Sequence, residues 1–396
     1  MQSYDVVIVG GGMVGLSLAL ALKDSKLQVA VLAEPHPMRA LGKSPELRVS
    51  AINQASENLL KRLGTWKGIV SQRVAPYTHM SVWEQDSFAA IDFDHQQLHL
   101  PHLGHIIENQ VVLNALGEQL LAADNVELVD DALTDLQLMP EKATAKLKSG
   151  KVISAALVVG TDGAQSMVRK LTGLPIRFKD YEHSAIVATV RTAEVHGNTA
   201  RQVFTPFGPL AFLPLFEPHL CSIVWSQHTA KAQQLMQMDK ADFDKALTAA
   251  FGATLGLCHL ESERASYPLT MRYANQWLKD RVVLAGDAAH TIHPLAGQGA
   301  NLGMMDAAAL ADALLNLHSQ GVDIGLAKHL RPYERWRKTE AVKMIAAMES
   351  FKRLFDGNHP LKKLIRGLGM NTVDSLPIAK QIAIQLAVGS HQELAP

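Results

Sequence analysis

The feature that most limits what this chain can fold into is its opening. Asp5-Val-Val-Ile-Val-Gly10-Gly-Gly12-Met-Val-Gly15 reads as a buried strand turning through G-x-G-x-x-G into a helix near Met13. Val6 to Val9 have the continuous apolar, β-branched character of a parallel strand covered on both faces. Gly10 and Gly12 let backbone amides approach a pyrophosphate at the positive end of the helix, and Gly15 lets helix and strand pack closely. In such a unit an acidic residue ends the second strand about 20 residues on and accepts from a ribose hydroxyl. Leu27-Gln-Val-Ala-Val-Leu-Ala33-Glu34 supplies both, after an Ala- and Leu-rich helix over Leu16 to Leu22. Glu34 alone would be an ordinary strand-end carboxylate; the parts in this order predict a dinucleotide-binding βαβ unit.

At 396 residues the chain exceeds one compact domain of about 100–200 residues. Its 47% hydrophobic and 19% charged residues suit large buried sheets, and a formal charge of zero supplies no global field for nucleic acid. Cys221 and Cys258 are too few for a disulfide framework or zinc cluster, which fits a reducing cytoplasm. The glycine-broken N-terminal run lacks a basic flank and is not expected to be a secretory signal. No apolar stretch reaches the roughly 18 residues of a spanning helix.

Along the chain, nucleotide-fold segments alternate with others. A helix is expected over Asn53 to Leu63, a hairpin over residues 78–93 and a helix over Asn109 to Ala122, with strands at Val126 to Leu128, Ala145 to Leu147 and Ala155 to Val159. From about 180 to 267 strands alternate with turns, interrupted by a helix over Asp239 to Phe251; Arg281 to Ala285 is a final strand before a long helix over Ala300 to Leu317. The predicted fold is α/β: a discontinuous Rossmann-like binding domain (1–72, 94–179, 268–350), an inserted, mostly antiparallel β substrate domain (73–93, 180–267) and a helical C-terminal region (351–396).

Two further strand-to-helix constellations follow: Val158-Val-Gly160-Thr-Asp162-Gly163 through Arg169, and Gly286-Asp287-Ala-Ala-His290-Thr-Ile-His293-Pro294-Leu-Ala-Gly-Gln-Gly299-Ala300-Asn301-Leu-Gly303. With all three motifs in order, roughly residues 4–350 resemble the FAD-dependent aromatic hydroxylases of the para-hydroxybenzoate hydroxylase type. Leu47-Arg48-Val-Ser-Ala-Ile-Asn53, Gly104-His-Ile-Ile-Glu-Asn109 and the third motif are similar to the ubiquinone-biosynthesis hydroxylases, particularly their 2-octaprenylphenol hydroxylase branch.

The resemblance implies non-covalent FAD, with Gly10, Gly12 and Gly15 at its pyrophosphate and Glu34 at the adenosine ribose. It puts Arg48 on the flavin side, with Gln110, favoured over Asn109, as a polar flavin contact. Asp162 belongs to an Asp-Gly motif that serves FAD and, indirectly, the nicotinamide cofactor. Asp287 is implied as the ribityl ligand, with Pro294, Gly299, Ala300 and Asn301 along the isoalloxazine. His290 and His293 read as backbone-bonding loop histidines rather than a base or metal pair, since no third ligand at suitable spacing follows; no metal is expected. Met304-Met305 reads as core.

Marks of rival flavin chemistries are absent from the sequence: no Trp-x-Trp-x-Ile-Pro, no Cys-x4-Cys and no second glycine fingerprint for NAD(P)H. The resemblance therefore implies an NAD(P)H- and O2-dependent monooxygenase acting through a flavin C4a-hydroperoxide, with no catalytic side chain required. Val203, Phe204, Leu210, Phe212, Leu213 and Trp225 are candidates for a pocket wall, or equally for sheet core. A polyprenylated phenol needs such a wall, whereas a small polar phenol needs a cation, for which Arg201 is the candidate. A non-prenylated substrate, or a flavoprotein subunit of a biosynthetic assembly with little turnover, is the alternative. From Lys328 to Arg366 eleven Lys or Arg face four acids, a net +7, with apolar residues at helical spacing. This stretch is either a solvated helix face or a basic amphipathic surface for anionic lipid or a biosynthetic partner at the membrane.

Overall fold

Val6, Val7 and Ile8 are wholly buried because their strand lies mid-sheet with both faces covered. The computed structural model describes residues 2–86, 90–291 and 298–355. In the first sheet Gln2–Val9 pairs parallel with Val29–Leu32 on one side and Val152–Gly160 on the other. Val126–Val129 extends the first side, and Val282–Leu284 the second, also in parallel. The chain therefore moves outward from the first strand and then returns to its opposite flank. That reversal is where open α/β sheets bind ligands, beyond the carboxyl ends of the strands. Leu133–Leu138 and Ala143–Leu147 continue the sheet in antiparallel fashion.

The helices, in chain order, are α1 (Met13–Ala21), α2 (Gln54–Arg62), α3 (Trp66–Val70), α4 (Asn109–Leu120), α5 (Met167–Thr172), α6 (Thr229–Gln237), α7 (Lys240–Ala250), α8 (Gln298–Ser319) and α9 (Ala327–Phe355). Asn53 begins α2 by accepting from the Ser56 amide, and Asp239 begins α7 by accepting from the Asp242 amide. α1 packs on α8 through small residues: a Cβ at Gly303 would stand 2.7 Å from Val14 Cγ2.

A second sheet, mostly antiparallel, is built on the long strand Ile176–Thr192 and includes Thr199–Thr205, Gly208–Pro214, Leu220–His228 and Ala265–Ala274. The hairpin His79–Glu84 and Ala90–Asp94 joins its edge, the former parallel to Thr199–Thr205. A third, small sheet orders Val49–Ile52, Gly104–Glu108 and Val74–Tyr77. Residues 74–77, expected with the substrate domain, thus pair with Gly104–Glu108 instead. The chain changes sheets at Thr78, whose amide donates to Asn198 O.

Alternation separates the two faces of the second sheet. Val203, Leu210, Trp225 and Ile186 lie opposite one another in register, and Phe212 opposes Ile223 on the same face. This face is sealed by Leu235, Phe243, Leu247 and Phe251 of and beside α6 and α7, with Phe212 and Phe251 stacked at 3.7 Å. Val203, Leu210, Phe212 and Trp225 are therefore helix-covered core rather than an open wall. The reverse face carries the half-buried row Gln202, Ala211, Val224, Val187, with Phe204 and Leu213 on the same side. The six apolar candidates therefore divide by strand parity between the two faces of the sheet.

Candidate functional site

The three glycine motifs converge at the carboxyl ends of Gln2–Val9, Val152–Gly160 and Val282–Leu284. Thr161 ties the first two together, its amide and hydroxyl donating to Val9 O at 2.8 and 3.0 Å. Gly10 holds φ +118°, and a Cβ there would sit 2.5 Å from Thr161 O. A Cβ at Gly15 would meet Gly10 O at 2.0 Å, so this glycine serves the close helix–strand approach. Gly12, at the N-cap of α1, faces open space: nothing lies within 4 Å of its Cβ position. Only a group outside the protein makes that bareness useful, and the helix end favours an anion.

Asp162 Oδ2 accepts from the Met167 and Val168 amides at the start of α5, while its buried Oδ1 has no hydrogen-bond partner. Arg169 links the second motif to the third, donating to Ala164 O and Ala288 O at 2.7 Å each. Asp287 follows Gly286 (φ +59°) and is solvent-accessible yet densely surrounded. Its pKa is raised by burial, against the nearby His290, Arg48 and Arg272, which act to lower it. Arg48 is exposed, immediately precedes the Val49–Ile52 strand of the third sheet and lies over the Tyr267 ring of the second at 5.1 Å, near Asp287. Glu34 sits past the end of Val29–Leu32 as expected, paired with Lys148 at 2.5 Å.

Several other candidates are committed to the protein itself. Gln110 Nε2 donates to Pro37 O and Asn114 Oδ1, both at 2.8 Å, and Asn109 Oδ1 accepts from Ser50. Asn301 is fully buried, donating to Ala51 O and accepting from the Asn53 amide. Its side chain therefore fixes the start of α8, while Gly299 and Ala300 remain partly exposed there. Pro294 and His293 lie outside the described residues. Arg201 Nη1 donates to His196 O at 2.7 Å and to Thr199 O, and along its strand Arg201 shares the parity of the helix-covered Val203.

His290 bonds a carboxylate rather than backbone: its Nε2 is 2.6 Å from Asp306 Oδ2, which also accepts from the Gly286 amide. Arg337 Nε donates to Asp306 Oδ1 at 2.7 Å, and all three residues are at most 2% exposed. Burial pushes the Asp306 pKa up, but His290 and Arg337 hold it below the ordinary carboxylate value. This network anchors the loop bearing Asp287 from behind. Nothing local in the sequence marked Asp306 or Arg337, which lie on the long helices α8 and α9. Ala341 of α9 is fully buried, and Ile345 and Met348 pack against the same core, so this part of the apolar C-terminal stripe faces protein.

An open cradle at Gly12, a bare buried Asp162 oxygen and an accessible Asp287 together fit a dinucleotide with a polar linker. The family with the description FAD binding domain matches residues 3–346. The chain belongs to this FAD-binding family. It is similar to the 3-demethoxyubiquinol 3-hydroxylase of Escherichia coli (strain K12), 38% identical over 98% of this chain and 99% of that protein. It is also similar to the ubiquinone biosynthesis monooxygenase COQ6, mitochondrial, of Xenopus tropicalis, 35% identical over 96% and 92% of the two chains. Among solved structures, p-nitrophenol 4-monooxygenase PnpA of Pseudomonas putida DLL-E4 shares the fold at TM-score 0.79 and 21% identity, covering 99% of this chain and 98% of that one. The protein is an FAD-dependent monooxygenase, a member of the ubiquinone-biosynthesis hydroxylases. No helix among the described residues is long and apolar enough to cross a membrane.

Proposed function

We propose that the protein hydroxylates the ring of a polyprenylated phenol in ubiquinone biosynthesis. The observation that carries this reading is the near full-length similarity to the 3-demethoxyubiquinol 3-hydroxylase, together with the half-buried Val187, Val224, Phe204 and Leu213 beside Gln202 on the reverse face of the second sheet. Bound FAD would supply the redox chemistry, with NAD(P)H as the source of electrons and O2 as the source of the ring oxygen, its second atom leaving as water.

The chain's own residues bind, orient and exclude water. Gly12 admits the pyrophosphate to the N-terminus of α1, Gly10 and Gly15 allow the close strand and helix approach behind it, and Glu34 takes a ribose hydroxyl in place of Lys148. Asp162 offers its bare oxygen, Asp287 holds the ribityl chain, and Arg48 with Tyr267 closes the junction between the sheets. Phe204, Leu213 and Val224 give an apolar surface to a prenyl tail, each buried CH2 contributing about 0.8 kcal/mol. Purified, FAD-loaded protein should oxidise NAD(P)H faster when a prenylated phenol is added. Stimulation by non-prenylated phenols alone would overturn the substrate class. Giving it prenylated phenols of the 2-octaprenylphenol and 3-demethoxyubiquinol types separates the ring position.

The exposed Lys328, Arg331, Arg335 and Lys343 of α9, with the basic residues beyond them, support a further reading that this end meets anionic lipid, where a water-insoluble substrate resides. Arg337 is not part of that surface, being buried on Asp306.

A further inference from the structure

Outside the glycine motifs, three side chains separated in sequence meet between α2 and the strand Gly104–Glu108. Glu57 Oε2 lies 2.7 Å from His102 Nε2 and 3.4 Å from His105 Nδ1. The three ligand atoms are all within 4.8 Å of one another. Glu57 and His105 are buried, at 3% and 6% exposure, and His105 Nδ1 has no hydrogen-bond partner although it is shut off from water. A buried unpartnered ring nitrogen aimed at a carboxylate and a second imidazole needs an explanation beyond packing.

We propose that Glu57, His102 and His105 form a binding site for one divalent cation of the zinc class. Two imidazoles and a carboxylate are a donor set that favours zinc-like ions over magnesium or calcium. Ligand atoms about 2.0–2.2 Å from a tetrahedral ion stand roughly 3.3–3.5 Å apart. The Glu57–His105 edge already has that length; His102 must draw back from Glu57 by about 0.7 Å and its edge to His105, within 4.8 Å, must close to match. His102 precedes its strand and its side chain is 18% exposed, which gives both the freedom and the entry path.

Neighbouring groups hold the ligands in place, as outer contacts do in metal sites. Lys61 Nζ takes the other Glu57 oxygen, Oε1, at 2.7 Å and leaves Oε2 to the ion; its own side chain is half exposed, so water screens its charge. The edge of Trp66 meets the His105 ring at 4.9 Å. Without an ion, a proton on His102 Nε2 donates to Glu57. Binding requires that proton to move, to Nδ1 by tautomer exchange from the neutral ring or to solvent from the cation, with water as fourth ligand. The site would brace the helix that holds the start of α8, because the Glu57 amide donates to Asn53 O and the Asn53 amide to Asn301.

The test is equilibrium dialysis of the FAD-loaded protein against Zn2+, followed by metal analysis, with Co2+ as a spectroscopic substitute. The expected result is one equivalent per chain and an intense tetrahedral Co2+ band to the red of the flavin absorption. His102→Ala, at the most exposed ligand, should lower Zn2+ affinity at least tenfold while leaving the flavin spectrum unchanged. Absence of stoichiometric binding, or equal affinity in a flavin-retaining His102→Ala, would overturn the proposal. Should that variant lose its flavin, the wild-type Co2+ spectrum decides, and weak octahedral bands alone would refute the site.

Discussion

Replacing Gly12 and Gly15 separately by alanine distinguishes space that belongs to a ligand from space that belongs to the fold. At Gly12 the backbone is extended (φ −78°, ψ 176°), which alanine adopts freely, and no protein atom lies within 4 Å of the new Cβ. Alanine is a poorer N-cap than glycine, but it also loses less backbone entropy on folding, about 0.4–1 kcal/mol in the opposite direction. Apoprotein stability should therefore change little. The methyl group instead occupies the place where a pyrophosphate approaches the helix amides. Loss of a charge-assisted hydrogen bond costs about 1.5–3 kcal/mol, roughly a 10- to 150-fold weaker FAD Kd. Gly15→Ala is the converse. Its Cβ would stand 2.0 Å from Gly10 O and 2.7 Å from Thr161 Oγ1. The Gly10 backbone and the Thr161 side chain must both shift, at about 1–3 kcal/mol or more of apoprotein stability. Urea unfolding of the apoproteins and FAD titration by fluorescence quenching read the two quantities independently. Gly12→Ala with a destabilised apoprotein and unchanged FAD affinity would refute the reasoning.

Asp287→Asn should stabilise the apoprotein while weakening flavin retention. Burial raises the Asp287 pKa in the folded state, so between the unfolded and folded values the native protein binds more protons and stability falls as pH rises. Asparagine removes that loss, so the variant should gain more stability over the wild type at pH 7 than at pH 4; an equal difference at both pH values would contradict it. Phe212→Ala should cost about 3–5 kcal/mol of stability with KM for the prenylated phenol unchanged, whereas Leu213→Ala should raise KM more than it lowers stability. The reverse pattern would place the substrate on the helix-covered face. Neutralising Lys352, Arg353, Lys362 and Lys363 together should reduce binding to anionic vesicles at low salt with the flavin spectrum intact. Equal binding by both proteins would remove the lipid reading; truncation after Arg337 is a poor substitute, since it strips the buried Ala341 from the core and removes Glu349, the ion-pair partner of Lys179.

What could be read from the sequence was whatever is local. The first strand, its glycines, α1 and the second strand are adjacent in the chain, and each declares itself by burial pattern or backbone requirement. The starts of α2 and α7 were legible for the same reason, through Asn53 and Asp239. Side-chain partnerships across long separations carried no such signal. The Gln110 amide donates to Pro37 O, 73 residues away, a partnership that nothing local in the sequence marks. Asp306 and Arg337 are single charges on helices, and only the packing of α8 against α9 reveals that they hold His290. Glu57 lies 45 residues before its partner His102. The faces of the second sheet were recoverable in principle from alternation, yet which face receives α6 and α7 is a tertiary fact, and α6 itself lacks a strong apolar stripe.

The most direct test of the central claim is the source of the oxygen in the product. FAD-loaded protein, NAD(P)H and a prenylated phenol should be incubated under isotopically heavy O2 in ordinary water, and the product weighed by mass spectrometry. The account predicts a hydroxylated ring carrying a single heavy oxygen atom, with none when the label is in the water. Label entering from water, or NAD(P)H consumed into peroxide with the ring unchanged, would contradict it.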